Sequence, residues 1–422
     1  MLFRSAAAPL VAFVLYFVMS RSVPFYKAIQ KKLDGISRIT RENLGGARVI
    51  RAFSRQQNEE RRFEEASDDL ARTSERVGKL SALLNPLTYS IINLAIVALL
   101  WFGGLRVNSG ALSQGQIIAF VNYMTQILLA LIVVANLVVI FTKASASAAR
   151  VNEIFDTVPS VADEAPASIQ PAPGAAKIVY RDVGFAYSKT GEEVLSHVTV
   201  DIAAGETVGI IGGTGAGKST LVGLIPRFYD VTAGSLCVDG VDVREYPLAQ
   251  LRGKIGVVPQ HTVLFAGTLR ENMQWGAPEA TDKQIACALE IAQAKEFVDK
   301  LPLGLDTPIA QGGKNLSGGQ RQRLTIARAL VGKPDILILD DSASALDFAT
   351  DAALRKALSR ELIDTTVLMV SQRVNTVKSA DRIIVLDDGA VAGIGTHTEL
   401  FESCEVYREI CLSQLSREEA AQ

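Results

Sequence analysis

GGTGAGKS, residues 212–219, stands between TVGII (207–211), which reads as a strand, and STLVGLI (219–225), which reads as a helix. A phosphate cradle needs that context. Glycines let successive backbone N–H groups converge on phosphate oxygens, and a helix start adds a favourable dipole. Gly212, Gly213, Thr214, Gly215, Ala216 and Gly217 form the loop, and Thr220 continues it into the helix. Lys218 brings a point charge to the β and γ phosphates, and Ser219 offers its hydroxyl to Mg2+.

Working outward, short β-rich runs alternate with helical patterns from Lys177 onward: IVYRDV (178–183), KIGVVP (254–259), ILILD (336–340) and TVLMVS (366–371). The alternation implies an α/β fold with a largely buried sheet whose strands present chemistry at their C-terminal ends. In ILILDD (336–341) the apolar strand delivers Asp340, placed to hold Mg2+ directly or through water, and Asp341, placed to face an attacking water. LSGGQ (316–320) precedes the helical RQRLTIARAL, so Ser317 marks a helix start that favours a terminal phosphate.

The first third reads differently. Hydrophobic residues make up 48% of the 422, and they concentrate here. Residues 83–105 and 117–141 each hold the roughly 20 apolar residues that cross a bilayer core. Residues 6–19 form a shorter run that reads as a span cut at its N-terminal side, with a signal anchor as the alternative. Residues 20–80 carry fourteen Lys and Arg, whereas 106–116 carry only Arg106. The long loop is therefore expected in the cytoplasm and the short one outside, which returns the chain to the cytoplasm after residue 141. Within 20–80 the charge and periodicity suggest two long helices that extend the spans, with a turn and a short helix near Gly45 and Gly46. The expected organisation is a partial transmembrane domain over 1–156, a Pro/Ala/Ser-rich linker over 157–176, a nucleotide-binding domain over 177–415 and a tail over 416–422. A net charge of −2 without long single-sign runs speaks against nucleic acid as a partner. The four cysteines show no CxxC spacing, which points to free thiols.

The phosphate loop, ILILDD and LSGGQ together resemble the ABC ATPase family. That resemblance implies two nucleotide domains sandwiching two ATPs. Each ATP is held by one phosphate loop and capped by Leu316, Ser317, Gly318, Gly319 and Gln320 of the other domain. It also implies that Tyr187, in FAY, stacks on adenine, and that Gln260, in VVPQ, senses Mg2+ and water. Ser344, Ala345, Leu346 and Asp347, in SALD, form the loop between the two sites. With the spans and ENLGGARVIRAF (42–53), the likeness narrows to the exporter branch, where six spanning helices precede each nucleotide domain and the last three are visible here. The expected fold is an α-helical transmembrane segment followed by an α/β P-loop NTPase domain of ABC type with a helical subdomain. The expected setting is multi-pass in the bacterial inner membrane, with the lipid bilayer, a small-molecule substrate and a second half-transporter as partners.

Two positions depart from the family pattern. Asp341 stands where Glu is usual, and Gln372, in VSQR, stands where His is usual. Asp is one methylene shorter, which draws its carboxylate back from the attacking water by about a bond length. Gln372 can donate a hydrogen bond but cannot carry the charge of an imidazolium. His197, His261 and His397, the three histidines, do not fall where they could substitute. Both changes weaken the same hydrolytic step, whereas the LSGGQ that serves the opposite site is intact. The resemblance therefore implies the slowly hydrolysing subunit of a heterodimeric multidrug-type exporter, whose partner carries Glu and His. A slow homodimer and an ATP-gated channel or regulator are the alternatives, and drugs, lipids and peptides are all open as substrates.

Overall fold

The computed structural model describes residues 2–163, 169, 174–188, 191–342 and 345–415. The chain folds as two compact units, Met1–Thr157 and Val158–Gln422.

The first unit is helical: α1 (Leu2–Gly45), α2 (Ala47–Ala52), α3 (Gln56–Ala82), α4 (Leu84–Asn108) and α5 (Gln114–Phe155). Helix α1 runs unbroken through the apolar start and the basic stretch that follows, with Pro9 and Pro24 inside it. At 1.5 Å per residue its 44 residues reach about 66 Å, roughly twice a bilayer core. Polar clasps hold α1 against α3: Lys32 bonds Asp69 at 2.7 Å and Thr73 at 2.8 Å, and Glu42 meets Arg62 at 3.2 Å. Beneath them Ile39 and Val77 are buried. Among the described residues, the run Gln56–Asn108 contains a stretch long and apolar enough to cross a membrane. Leu94 and Trp101 on α4 are each 70% exposed, which suits a surface facing lipid. Ser113 and Gln116 form a reciprocal capping box that starts α5 sharply after the short connection.

The second unit contains strands β1 (Ile178–Phe185), β2 (Leu195–Ile202), β3 (Thr207–Gly212), β4 (Ala233–Val238), β5 (Val241–Asp242), β6 (Ile255–Val258), β7 (Gly267–Thr268), β8 (Pro308–Ile309), β9 (Ile336–Asp340), β10 (Thr366–Val370), β11 (Arg382–Asp387) and β12 (Ala390–Gly395). An antiparallel sheet has the order β2-β1-β4-β5, and a larger sheet has the order β12-β11-β3-β10-β9-β6. In the larger sheet β11, β3, β10, β9 and β6 are parallel, and β12 runs against β11 as an edge. The helices are α6 (Lys218–Leu224), α7 (Leu248–Gly253), α8 (Leu269–Gln274), α9 (Asp282–Ile291), α10 (Lys295–Asp299), α11 (Gly318–Val331), α12 (Phe348–Glu361), α13 (Val374–Val377), α14 (His397–Ser403) and α15 (Glu405–Gln414).

Strand periodicity explains why the larger sheet is buried on both faces. On β9, Ile336 and Ile338 enter a core shared with the antiparallel sheet and α6, whereas Leu337 and Leu339 enter a second core shared with α9, α11, α12, α13 and α15. The apolar run ILIL thus has no solvent side, and its first polar residue, Asp340, falls where the strand leaves the core.

Tyr180 on β1 ties the antiparallel sheet to α6, the helix that follows the phosphate loop. Its hydroxyl donates to the Leu221 carbonyl of α6 at 2.9 Å, and burial pushes the phenol far above its usual titration range. Tyr180→Phe removes that bond while keeping the ring. Urea unfolding of the full chain is expected to show a loss of about 1 kcal/mol from the nucleotide-binding unit; no loss would mean the bond contributes nothing.

Candidate functional site

A cleft of about 300 Å³ opens at the C-terminal ends of β3, β9 and β10. The loop after β3 supplies one wall through Thr214, Gly215, Gly217, Lys218, Ser219 and Thr220. Asp340 and Asp341 come from the end of β9, Gln372 with Val370 and Ser371 from the end of β10, and Gln260 from the loop after β6. Residues spread over more than 150 positions of sequence are thus brought together by parallel strands that all end on one side.

The loop can take this path only because Gly212 and Gly217 carry no side chain. A Cβ on Gly212 would lie 2.2 Å from the Leu386 carbonyl oxygen of the neighbouring β11. Gly217 has φ +89° and serves as the N-cap of α6, where a Cβ would lie 2.9 Å from the Val194 carbonyl oxygen. The Ala216 N–H turns back to the Gly213 carbonyl at 3.3 Å and closes the loop on itself.

Charge is concentrated here. The buried Lys218 ammonium donates to the carbonyls of Gly212 at 2.8 Å and Gly213 at 2.6 Å. Burial lowers its pKa, opposed by the carboxylates of Asp341 and Asp340. Burial likewise raises Asp340, opposed by a hydrogen bond from the Ser219 hydroxyl at 3.0 Å. Asp341 is also raised by burial and is drawn back by Arg373, Lys218 and a hydrogen bond with Gln260. One ammonium, two half-desolvated carboxylates, a hydroxyl and an amide therefore face one small volume. That set can grip a polyphosphate and a divalent cation together, because each charge lacks water and gains from a countercharge.

Asp341 has φ +46°, and its N–H donates to the Val370 carbonyl at 2.9 Å. The left-handed backbone is one that Asp tolerates better than most side chains.

Tyr187 sits at the rim, with its hydroxyl 2.9 Å from that of Thr220 and its ring edge-on to Phe185 and Tyr229 at 4.9 and 5.1 Å. The residue is 58% exposed, which leaves it accessible to a flat ring.

LSGGQ is not in the cleft. Ser317 caps α11, accepting from the Gln320 N–H at 3.2 Å while Gln320 accepts from the Ser317 N–H at 2.9 Å. Leu316, Gly318, Gly319 and Gln320 accompany it, with Gly319 packed close to the Ala345 carbonyl. In SALD, Leu346 is buried, Ala345 lies against Gly318 and Gly319, and Asp347 caps α12 by accepting from the Thr350 N–H at 2.9 Å. Ser344 lies outside the described residues.

Sequence reasoning overlooked Val194, Ser371 and Arg373. Arg373 follows Gln372 directly, and its charge is felt at Asp341. A larger cavity, about 510 Å³, opens at the opposite ends of β3 and β10. Among its described lining residues Asp381 is the lone carboxylate, and it already accepts from the Thr207 N–H. It offers no seat for a metal-bound phosphate.

A phosphate loop, an acidic strand end and a capped LSGGQ helix, carried on a chain with long membrane-type helices, define the ATP-binding half of an ATP-driven transporter. The ABC transporter family model matches residues 195–344, and the ABC transporter transmembrane region model matches residues 1–131. An uncharacterized ABC transporter ATP-binding protein of Mycobacterium tuberculosis is 40% identical over 413 residues, which is 97% of this chain and 70% of that protein. The ATP-dependent lipid A-core flippase of Desulfotalea psychrophila is 36% identical over 373 residues, 88% of this chain and 65% of the flippase. A bacterial Atm1-family ABC exporter solved with ATP bound superposes with a TM-score of 0.83 at 27% identity, covering 97% of this chain and 72% of that one. The chain belongs to the ABC transporter family and has the fold of its exporters: a multi-pass membrane protein with a cytoplasmic nucleotide-binding domain.

Gly212→Ala and Gly213→Ala separate steric need from flexibility. The first must displace the β11 backbone and is expected to cost about 2 kcal/mol or more. The second meets nothing within 4 Å and is expected to stay within about 0.5 kcal/mol of the parent. Thermal unfolding of both variants checks the contrast, and equal losses would count against this loop geometry.

Proposed function

We propose that the chain binds Mg-ATP in this cleft and, paired with a second half-transporter, uses closure of the two nucleotide domains to export a substrate across the membrane. The observation that carries the reading is the convergence of Lys218, Ser219, Asp340, Asp341, Gln260 and Gln372 on one cleft, with the LSGGQ helix start capped and placed elsewhere on the same domain. Lys218 takes the β and γ phosphates in exchange for the Gly212 and Gly213 carbonyls. Ser219, Asp340 and Gln260 hold Mg2+, and Tyr187 stacks on adenine. Leu316–Gln320 cap the nucleotide of the other domain, and the 344–347 loop relays between the sites.

The same geometry supports slow hydrolysis at this chain's own site. Asp341 faces the cleft from a left-handed backbone with a short side chain, and Gln372 is neutral. The pairing that fits is a heterodimer in which the partner chain carries the longer carboxylate and the imidazole. The names of the flippase relatives support a lipid among the small-molecule or peptide cargoes.

Lys218→Ala is expected to weaken binding of a fluorescent Mg-ATP analogue at least about hundredfold, since it removes a charge-assisted contact in a desolvated site. Unchanged affinity would sink the assignment. Asp341→Glu combined with Gln372→His is expected to raise single-turnover hydrolysis by the purified full chain at least about tenfold. A parent chain that already hydrolyses ATP briskly on its own would instead favour a homodimer.

Burial raises Asp340 and Asp341, so binding Mg2+ at lower pH must first displace protons. Mg-ATP affinity should therefore fall as pH drops, starting above the ordinary Asp range near 4, and Asp340→Asn should flatten the profile. Titrations between about pH 4 and pH 7 check the sign.

A further inference from the structure

Gln372 is held from behind by a residue 42 positions later in the chain. The Gln414 side-chain amide donates from Nε2 to the Gln372 carbonyl at 2.7 Å, and its Oε1 accepts from the Val374 N–H at 2.9 Å. A single amide thus clamps both flanks of the loop between β10 and α13. On the inner side, the buried Ser371 hydroxyl accepts from the Arg373 N–H at 3.0 Å, and the Ser371 N–H donates to the Ile210 carbonyl of β3 at 3.0 Å. The Ser371 N–H is thereby tied to the sheet, the Arg373 N–H to the Ser371 hydroxyl, and the Gln372 carbonyl and Val374 N–H to Gln414.

The clamp has a firm base. Gln414 is the last residue of α15, whose Tyr407 and Cys411 are fully buried in the same core as Val374 and Val377 of α13. The Tyr407 hydroxyl lies 2.8 Å from His397 Nδ1, which fixes the start of α15 against α14. Nothing in the core itself requires an amide at position 414, which is exposed; what the amide matches is the donor and acceptor pair of the loop.

We infer that Gln414 is a positioning residue for the terminal-phosphate contact made by Gln372. The inference rests on the reading that Gln372 faces the terminal phosphate. A neutral amide there has no charge to pull the phosphate into place, so its aim depends on where the backbone holds it. Loss of the clamp leaves ground-state Mg-ATP binding to Lys218 intact and misplaces a contact used when the phosphate is transferred to water. The effect therefore falls on the rate and spares the affinity.

The test is a double-mutant cycle in the full chain, reading Mg-ATP affinity and single-turnover hydrolysis separately for Gln414→Met, Gln372→Ala and the double variant. Gln414→Met keeps the side-chain length and removes both hydrogen bonds. It is expected to slow hydrolysis about fivefold with affinity changed less than about twofold. In the Gln372→Ala background the same change is expected to have no further effect. Gln414→Glu, which retains the acceptor for the Val374 N–H and loses the donor, should fall between parent and Met, and it guards against a Met variant that misfolds. Additive losses, or a loss of affinity equal to the loss of rate, overturn the positioning role while leaving the assignment of Gln372 standing. If Gln372→Ala hydrolyses like the parent, the assignment of Gln372 fails, and the role of Gln414 fails with it.

Discussion

An ammonium and two carboxylates share a half-buried cleft, and that crowding of unlike charges governs everything else in the nucleotide-binding unit. Lys218 is withdrawn from water and rests on the Gly212 and Gly213 carbonyls, which are weak partners for a full charge. Asp340 and Asp341 are withdrawn as well, and burial penalises their ionised forms. Each group is thus prepared to gain from a ligand that brings both signs at once, a phosphate chain with a divalent cation. The parallel sheet brings them together: β3, β9 and β10 end side by side, and the site residues lie at or beyond the end of each apolar run.

Much of this was legible in the primary structure because strand ends and glycine loops are local. The order TVGII, phosphate loop, helix could be read directly, since a buried parallel strand has no polar face and the first polar residue must mark its exit. ILILDD was legible for the same reason. What could not be read were pairings fixed only by tertiary packing. The sheet order, with β3 between β11 and β10, follows from which apolar faces fill which core, and no motif states it. Gln414 lies in a helix of ordinary composition and touches the Gln372 loop through a turn of the fold. Arg373 stood in plain view beside Gln372, yet its charge mattered only once β9 and β10 were known to be neighbours.

The membrane-type unit shows the opposite balance. Its hydrophobic runs and the bias of Lys and Arg announced helices and orientation, since lipid imposes a single rule on backbone polar groups. The continuation of the first apolar run into the charged run was legible too, and α1 carries both on one helical backbone, unbroken across Pro9 and Pro24. The ion pairs to α3 explain how the charged half stays ordered.

The central claim is that one nucleotide is gripped by this chain's phosphate loop and capped by a helix start from another chain. Determining the structure of the assembled transporter with Mg-ATP trapped tests it most directly. The account predicts density for a triphosphate on Lys218 with the capping serine supplied by the opposite subunit. A triphosphate capped by Ser317 of the same chain, or one bound away from Lys218, would contradict it.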